Sequence, residues 1–262
     1  MSEVSGRLLV SLEDGVKRIT FNNPARRNSI DFDTIRRFTE AIKQSAEDET
    51  RVVIITGAGD SFCAGADLQS LRSDAGDHDV TVDLREGVNP GVLAMRALPK
   101  PIIARVHGHA AGVGCNYALA ADIIIASDRA FFGQVFVKIG LMPDGGGTYF
   151  LPRSVGYNKA FELMALGDPI SSQQAFEMGM INRVVVAAEL DATVNALAER
   201  LAGAPAIALA KIKAGLINGM QSDLASALEF EAVNQGDCFR SADFKEGVAA
   251  FLQKRKAVFT GK

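Results

Sequence analysis

Cysteine, histidine and charge of one sign are all scarce in this chain, and each scarcity closes off a class of chemistry. The 262 residues contain three cysteines, Cys63, Cys115 and Cys238. They are widely spaced, odd in number, and form no CxxC pair or Cys/His cluster, which argues against a disulfide framework or a zinc site. His107 and His109 stand two apart, but no HExxH or other ligand set accompanies them. Two polar residues at a glycine turn explain the pair better than a metal does. GxSxG is absent, so no Ser–His–Asp reading is persuasive. The 28 basic and 31 acidic residues leave a net charge of −3, with no basic footprint for nucleic acid. No apolar run approaches the roughly 20 residues that span a bilayer. The opening "MSEVSGRLLVSLEDG" has an early acid and only a short apolar run, unlike a secretory signal. The expectation is a cytoplasmic protein with no membrane or nucleic-acid partner.

What is present is a globular balance: 48% hydrophobic and 23% charged residues, enough for a sizeable core. The length suits one large domain, or one with a small appendage. "RLLVSLEDGVKRITFNN" predicts two strands joined at Asp14-Gly15, a strong hairpin signal. "DFDTIRRFTEAIKQSAED" sets Ile35, Phe38, Ile42 and Ala46 at helical spacing. "VVIITGAG" (Val52 to Gly59), "PIIARVHG" (Pro101 to Gly108) and "DIIIAS" (Asp122 to Ser127) read as short buried strands. The small-residue, helix-like "GVGCNYALAA" lies between the last two, and such strand–helix–strand units predict an α/β core. From about Leu190 the pattern turns nearly all helical, with Pro205 at a helix start and Gly203 and Gly219 at helix ends. The expected organisation is an α/β core over 1–200 and a helical region over 201–262. Residues 72–91, polar and without a clear period, predict a mobile loop.

Three glycine-bearing segments carry candidate chemistry. "GDSFCAGADL" (Gly59 to Leu68) follows a strand, and its small residues permit close backbone approach; it is either an anion-binding loop or a plain strand-to-helix turn. "HGHAAGVGCNYALAAD" (His107 to Asp122) opens a helix. Gly112 and Gly114 match the first two glycines of GxGxxG, but Tyr117 holds the third place, where bulk opposes close packing. The alternative is a set of free N–H groups at a helix start that stabilise developing negative charge. "GLMPDGGGTYF" places a lone carboxylate, Asp144, between an apolar stretch and three glycines. Buried, it would be a proton carrier with a raised pKa. Exposed, it would cap the next helix.

Taken together, "FNNPARRNSID", "VVIITGAGDSFCAGADL", "KPIIARVHGHAAGVGCNYALAADIIIAS", "FGQVFVKIGLMPDGGGTYFLPRSVG", "GDPISSQQAFEMGMINRVV" and "SADFKEGVAAFLQKRKAVFTGK" resemble the enoyl-CoA hydratase/isomerase, or crotonase, superfamily over nearly the whole chain. The resemblance implies a spiral of ββα units with C-terminal helices used in trimer assembly, as a homotrimer or a dimer of trimers. It implies an acyl-CoA thioester substrate and no separate cofactor. By motif position, the thioester oxygen would be gripped by the N–H groups of Ala66 and Val113. CoA contacts would come from Arg26, Arg27, Ala64, Asp67, Leu68, Lys256 and Phe259, the last two from a neighbouring subunit.

The departures from the family pattern are as informative as the match. A hydratase of this family orients water with two glutamates; Asn116 and Phe136 occupy those positions here. The remaining acid is Asp144, which the resemblance makes the catalytic group, with Asn116, Tyr117 and Phe136 around the acyl pocket. The motifs near Asp144 and at the C-terminus are most similar to the isomerases of bacterial phenylacetate breakdown, which rearrange a ring-epoxide phenylacetyl-CoA and shift enoyl double bonds. The reading is an acyl-CoA isomerase. The alternatives are a hydratase-type lyase acting on an unusual acyl-CoA and a non-catalytic acyl-CoA-binding homologue.

Overall fold

The computed structural model describes residues 6–68 and 79–262. Strands β1 (Leu8–Glu13) and β2 (Val16–Phe21) form an antiparallel hairpin with Glu13 opposite Val16. Its two turn residues, Asp14 and Gly15, both have positive φ (49° and 75°), as a two-residue hairpin turn requires. The chain continues through helix α1 (Phe32–Glu47) to strand β3 (Val52–Gly57), which lies parallel to β2. Asp31 caps α1 by accepting from the Thr34 N–H at 2.9 Å. The buried stripe of α1 passes through Ile35, Phe38, Ile42 and Ser45, not through the expected Ala46. Ser45 tolerates burial because its hydroxyl donates to the Ala41 carbonyl at 2.7 Å.

Strands β4 (Ile102–Val106), β6 (Ile123–Ser127) and β9 (Arg183–Val185) extend this sheet in the order β1-β2-β3-β4-β6-β9. A second sheet pairs β5 (His109–Ala111) with β7 (Phe131–Gly133) and β7 with β8 (Ile170–Ser171). Every residue of β3 is buried, because both faces of the large sheet are covered. Val53 and Ile55 join the main core with Phe21, Phe38 and Phe62. Val52 and Ile54 join Ile103 and Ile125 beneath Leu190, Val194 and Ala198 of a late helix (Leu190–Ala202).

The segment expected to be a mobile loop over 72–91 is helical where it is described. Asp79 caps a short turn, Val80–Asp83, which runs through a π turn, Leu84–Val88, into helix α2 (Asn89–Ala97). Gly87, Pro90 and Gly91 hid this helix: Pro90 falls in its first turn, where its missing N–H costs nothing. Residues 72–78 of the expected loop lie outside the described residues.

The C-terminal helices Ala206–Gly219, Leu224–Arg240 and Ala242–Leu252 pack chiefly on one another. The first is pinned to the core by a buried lysine. Lys213 donates to the Met95 carbonyl (2.9 Å) and pairs with Asp122 (2.8 Å), which also holds Arg96. Between these helices lies an apolar cavity of about 1280 Å³, with Ile212, Leu216, Leu228, Val248 and Phe251 in its lining. The C-terminal tail is tied back by Asp243, which accepts from the N–H groups of Thr260 and Gly261.

Candidate active site

The loop after β3 and the loop before helix α3 (Val113–Ala120) meet through their main chains. The Cys63 N–H donates to the His109 carbonyl at 3.0 Å, and the Ala111 N–H donates to the Cys63 carbonyl at 2.9 Å. The loop carrying Arg27 joins them, since the Ala64 N–H donates to the Arg27 carbonyl at 2.9 Å. A parallel bridge pairs Ile30 with Ala66: Ile30 donates to Gly65 and Asp67 donates to Ile30. In that geometry the N–H of Ala66 points away from Ile30. Val113 is the first residue of α3, so its N–H has no partner within the helix. Among the described residues, neither N–H has a hydrogen-bond acceptor.

Each donor follows a glycine with positive φ, Gly65 at 96° and Gly112 at 54°. These two glycines touch: a Cβ on Gly65 would lie 2.9 Å from the Ala111 carbonyl oxygen, and one on Gly112 would lie 3.8 Å from the Gly65 Cα. The glycines therefore do two things at once. They set the backbone direction at each donor, and they let the two loops pack closely. Gly114 packs against Cys63 in the same way, so the glycine pair in "GVG" has a packing role independent of any dinucleotide.

Asp144 lies beside Val113. A Cβ on the next residue, Gly145, would meet Val113 Cγ2 at 3.0 Å and Val88 Cγ1 at 3.5 Å, and one on Gly146 would meet Val92 Cγ1 at 3.4 Å. Burial raises the pKa of the Asp144 carboxyl to about 6. Burial is the sole cause, and Oδ1 is buried without a hydrogen-bond partner. Asp144 is not a helix cap. Helix α4 (Gly147–Val155) begins after Gly146, and no side chain bonds its first turn.

The other expected pocket residues separate into distinct roles. Phe136 is buried, its Cζ 3.8 Å from a Cβ placed on Gly112, so it borders the candidate oxyanion site. Asn116 is wholly buried: its Nδ2 donates to the Asp144 carbonyl at 2.8 Å, and its Oδ1 accepts from Gln134 Nε2 at 2.7 Å. The Tyr117 ring belongs to the core, stacked on Phe38 at 4.8 Å and Phe21 at 6.3 Å. Its hydroxyl is buried and unpaired, and burial, with smaller contributions from Cys63 and Asp144, holds its pKa well above the usual phenol value.

The two histidines do not converge. His107 accepts from Arg105 at Nδ1 (2.8 Å) and donates from Nε2 to the Gly59 carbonyl (2.8 Å), while His109 stacks on Phe131. Burial, then Arg105, lowers the pKa of His107. Burial pushes the thiols of Cys63 and Cys115 up to about 12, so neither is a nucleophile at neutral pH.

Of the expected CoA contacts, Arg26, Arg27, Ala64, Asp67 and Leu68 share one edge of the site. Asp67 is buried and pairs with Arg26 (3.1 Å) and Arg7 (3.3 Å), whereas Leu68 is exposed. Lys256 and Phe259 lie elsewhere within the chain. Phe259 packs on Gly247, and the following Thr260 is held by Arg51 at the N-terminal end of β3. Ala66 follows the opposite end of that strand. Sequence reasoning missed Gln134 and Arg7. Gln134 was noticed only as the neighbour of a missing glutamate, and Arg7 lies in an unremarkable strand entry.

Two unpaired main-chain donors near a carboxyl of raised pKa make this a candidate active site, of the class that combines an oxyanion site with a proton carrier. That class narrows on comparison with known proteins. Residues 11–262 match the family model described as enoyl-CoA hydratase/isomerase, and the chain belongs to that family. It is 41% identical over 258 residues to the 1,2-epoxyphenylacetyl-CoA isomerase of Escherichia coli, covering 97% of this chain and 98% of that one. It is 36% identical over 260 residues to the crotonyl-CoA hydratase of Syntrophomonas wolfei, covering 97% and 98%. The crystal structure of an enoyl-CoA hydratase from Mycobacterium smegmatis superposes with a TM-score of 0.91 at 31% identity, covering 97% of this chain and 99% of that chain. The fold is the crotonase-like α/β fold with C-terminal helices.

Proposed function

We propose that the protein is an acyl-CoA isomerase with one carboxyl proton shuttle. The observation that carries this reading is that, among the described residues, Asp144 is the acid whose pKa burial raises, to about 6, while Asn116 and Phe136 fill the positions of a hydratase's glutamates. The thioester carbonyl binds the N–H groups of Ala66 and Val113. The Asp144 carboxylate takes a proton from the carbon next to the thioester of a 3-enoyl-CoA. The C–H electron pair moves into a dienolate whose charge rests on the bound oxygen. Asp144 then returns the proton to the far carbon, giving the 2-enoyl ester. The step is redox-neutral and consumes no water, so no cofactor is invoked. Each oxyanion donor contributes roughly 3–4 kcal/mol to such a transition state. Similarity to the 1,2-epoxyphenylacetyl-CoA isomerase supports an aryl or ring-derived acyl group as a further substrate class. Arg26 and Arg27 meet the CoA phosphates, and Lys256 and Phe259 act from a neighbouring subunit of a trimer.

Mass-resolved turnover of an acyl-CoA panel tests the proposal. Isomerisation leaves the mass unchanged. A product heavier by one water identifies a hydratase, and unchanged substrate across the panel identifies a binding protein.

A further inference from the structure

We propose that Asn116 and Gln134 are positioning residues that hold the Asp144 loop in its reactive place. This rests on the reading of Asp144 as the proton carrier. Asn116 does not simply leave a gap where a hydratase carries an acid. Its amide is fixed at both ends: Nδ2 donates to the Asp144 main-chain carbonyl at 2.8 Å, and Oδ1 accepts from Gln134 Nε2 at 2.7 Å. The Asp144 carbonyl also accepts from the Gly147 N–H at 2.9 Å.

The polarity of this chain is determined. A carbonyl only accepts, so Asn116 must present its NH₂ to Asp144 and its oxygen to Gln134. A carboxylate at position 116 would place acceptor against acceptor. The third glycine of the run serves the same contact. A Cβ on Gly147 would lie 2.7 Å from Asn116 Nδ2 and 2.9 Å from Oδ1, so any larger residue would push the amide away. Gly145 and Gly146, with φ of 53° and 82°, make the turn that brings the Asp144 carbonyl to it. The loop thus has two conformational glycines and one contact glycine, all serving the same amide. Gln134 follows Gly133, whose carbonyl accepts from the Gly112 N–H at 2.9 Å. The bracket is therefore built on the strand that also holds the oxyanion loop, and it ties the acid to the donors.

Asn116→Asp changes almost no volume but removes the donor. It also adds a second carboxylate near Asp144, whose titratable neighbour in electrostatic contact is Tyr117 of α3. Three readings are taken on Asn116→Asp and on Asp144→Asn: kcat and KM for an isomerised acyl-CoA, the pH–rate profile, and the melting temperature. The expected result for Asn116→Asp is a kcat lower by about 10²-fold, the penalty of a 1 Å misplacement. KM changes less than threefold, and the acid limb of the profile moves to higher pH. The added charge by itself moves the limb, so the loss of kcat at near-constant KM is the mark of positioning; a residue that merely supports the fold would lower the melting temperature and leave kcat near the parent value.

Wild-type kcat and an unmoved acid limb in Asn116→Asp, with Asp144→Asn inactive, would overturn the bracket and leave the proton carrier standing. A fully active Asp144→Asn would overturn both. If Asn116→Asp does not fold, Gln134→Met carries the test. It removes the support for Asn116 together with a long 3.6 Å contact to Cys115 Sγ, so a kcat about tenfold lower at constant KM supports the bracket and an unchanged kcat refutes it.

Discussion

Asp144→Asn should make the protein more stable and less active at the same time. Burial sets the pKa of the carboxyl at about 6 against an ordinary 3.8. The folded state therefore binds more protons than the unfolded chain between those values. Stability associated with this group is complete below pH 4 and falls as pH rises through 6. At about 1.36 kcal/mol per pH unit, the ionised carboxylate costs the fold about 3 kcal/mol above pH 7. Asparagine keeps the size and cannot ionise, so most of that cost disappears. The variant should melt several degrees higher than the parent at pH 8, by about 2 °C per kcal/mol for a chain of this size, and with little difference at pH 4. Turnover should fall by about 10²–10⁴-fold, the usual contribution of a positioned acid–base group. Calorimetry at the two pH values, with kinetics on the same preparations, reads both effects. Equal melting temperatures at pH 8 would refute the claim of a costly buried charge, and full activity would refute the catalytic role.

Three further outcomes follow from the same geometry. Val113→Pro deletes one proposed oxyanion donor at a helix N1 position, where proline is tolerated; kcat should drop by about 10²–10³-fold with the circular dichroism spectrum unchanged, and a drop below fivefold would exclude this N–H from the oxyanion site. Replacing Arg26 and Arg27 together by Ala should weaken acyl-CoA binding at low salt while Arg7 keeps Asp67 paired, and titration calorimetry showing unaltered affinity would remove them from the CoA site. Phe251 is 83% exposed and Leu224 75% exposed in the single chain, so light scattering should report a trimer or larger, Phe251→Glu should shift it toward monomer, and a dilute wild-type monomer would refute the assembly.

The fold was legible where local chemistry dictates it. Asp14-Gly15 specified its hairpin, and the short, mostly apolar runs of β3 and β4 specified buried strands. Helix α2 was not legible, because Pro90, Gly87 and Gly91 look like loop residues unless the turn that feeds the helix is known. Within the site, Asp144, the glycines before Ala66 and Val113, and the loss of both hydratase acids could be read from motif position. The cap-or-carrier question at Asp144 could not, since burial is a tertiary property. Only the tertiary structure shows that this carboxyl is partly buried, on a loop whose next two glycines pack on Val88 and Val92, about 50 residues upstream. Asn116 was read for the acid it replaces. Its bonds to Asp144 and Gln134 join residues 28 and 18 positions away, and no local pattern encodes them. Lys213 was hidden for the same reason, as one of two lysines in its helix, with carbonyl partners more than a hundred residues earlier.

The central claim is that one carboxyl carries one proton between two carbons of the same acyl chain. Single-turnover conversion of a 3-enoyl-CoA deuterated next to the thioester, in ordinary water with mass and position of label read in the product, tests it most directly. Asp144 Oδ1 is buried, so the account predicts a product with the mass of the substrate in which a measurable share of the molecules carries the transferred deuterium on the far carbon. A product in which the transferred position holds only solvent hydrogen from the first turnover, or one heavier by a water, would contradict it.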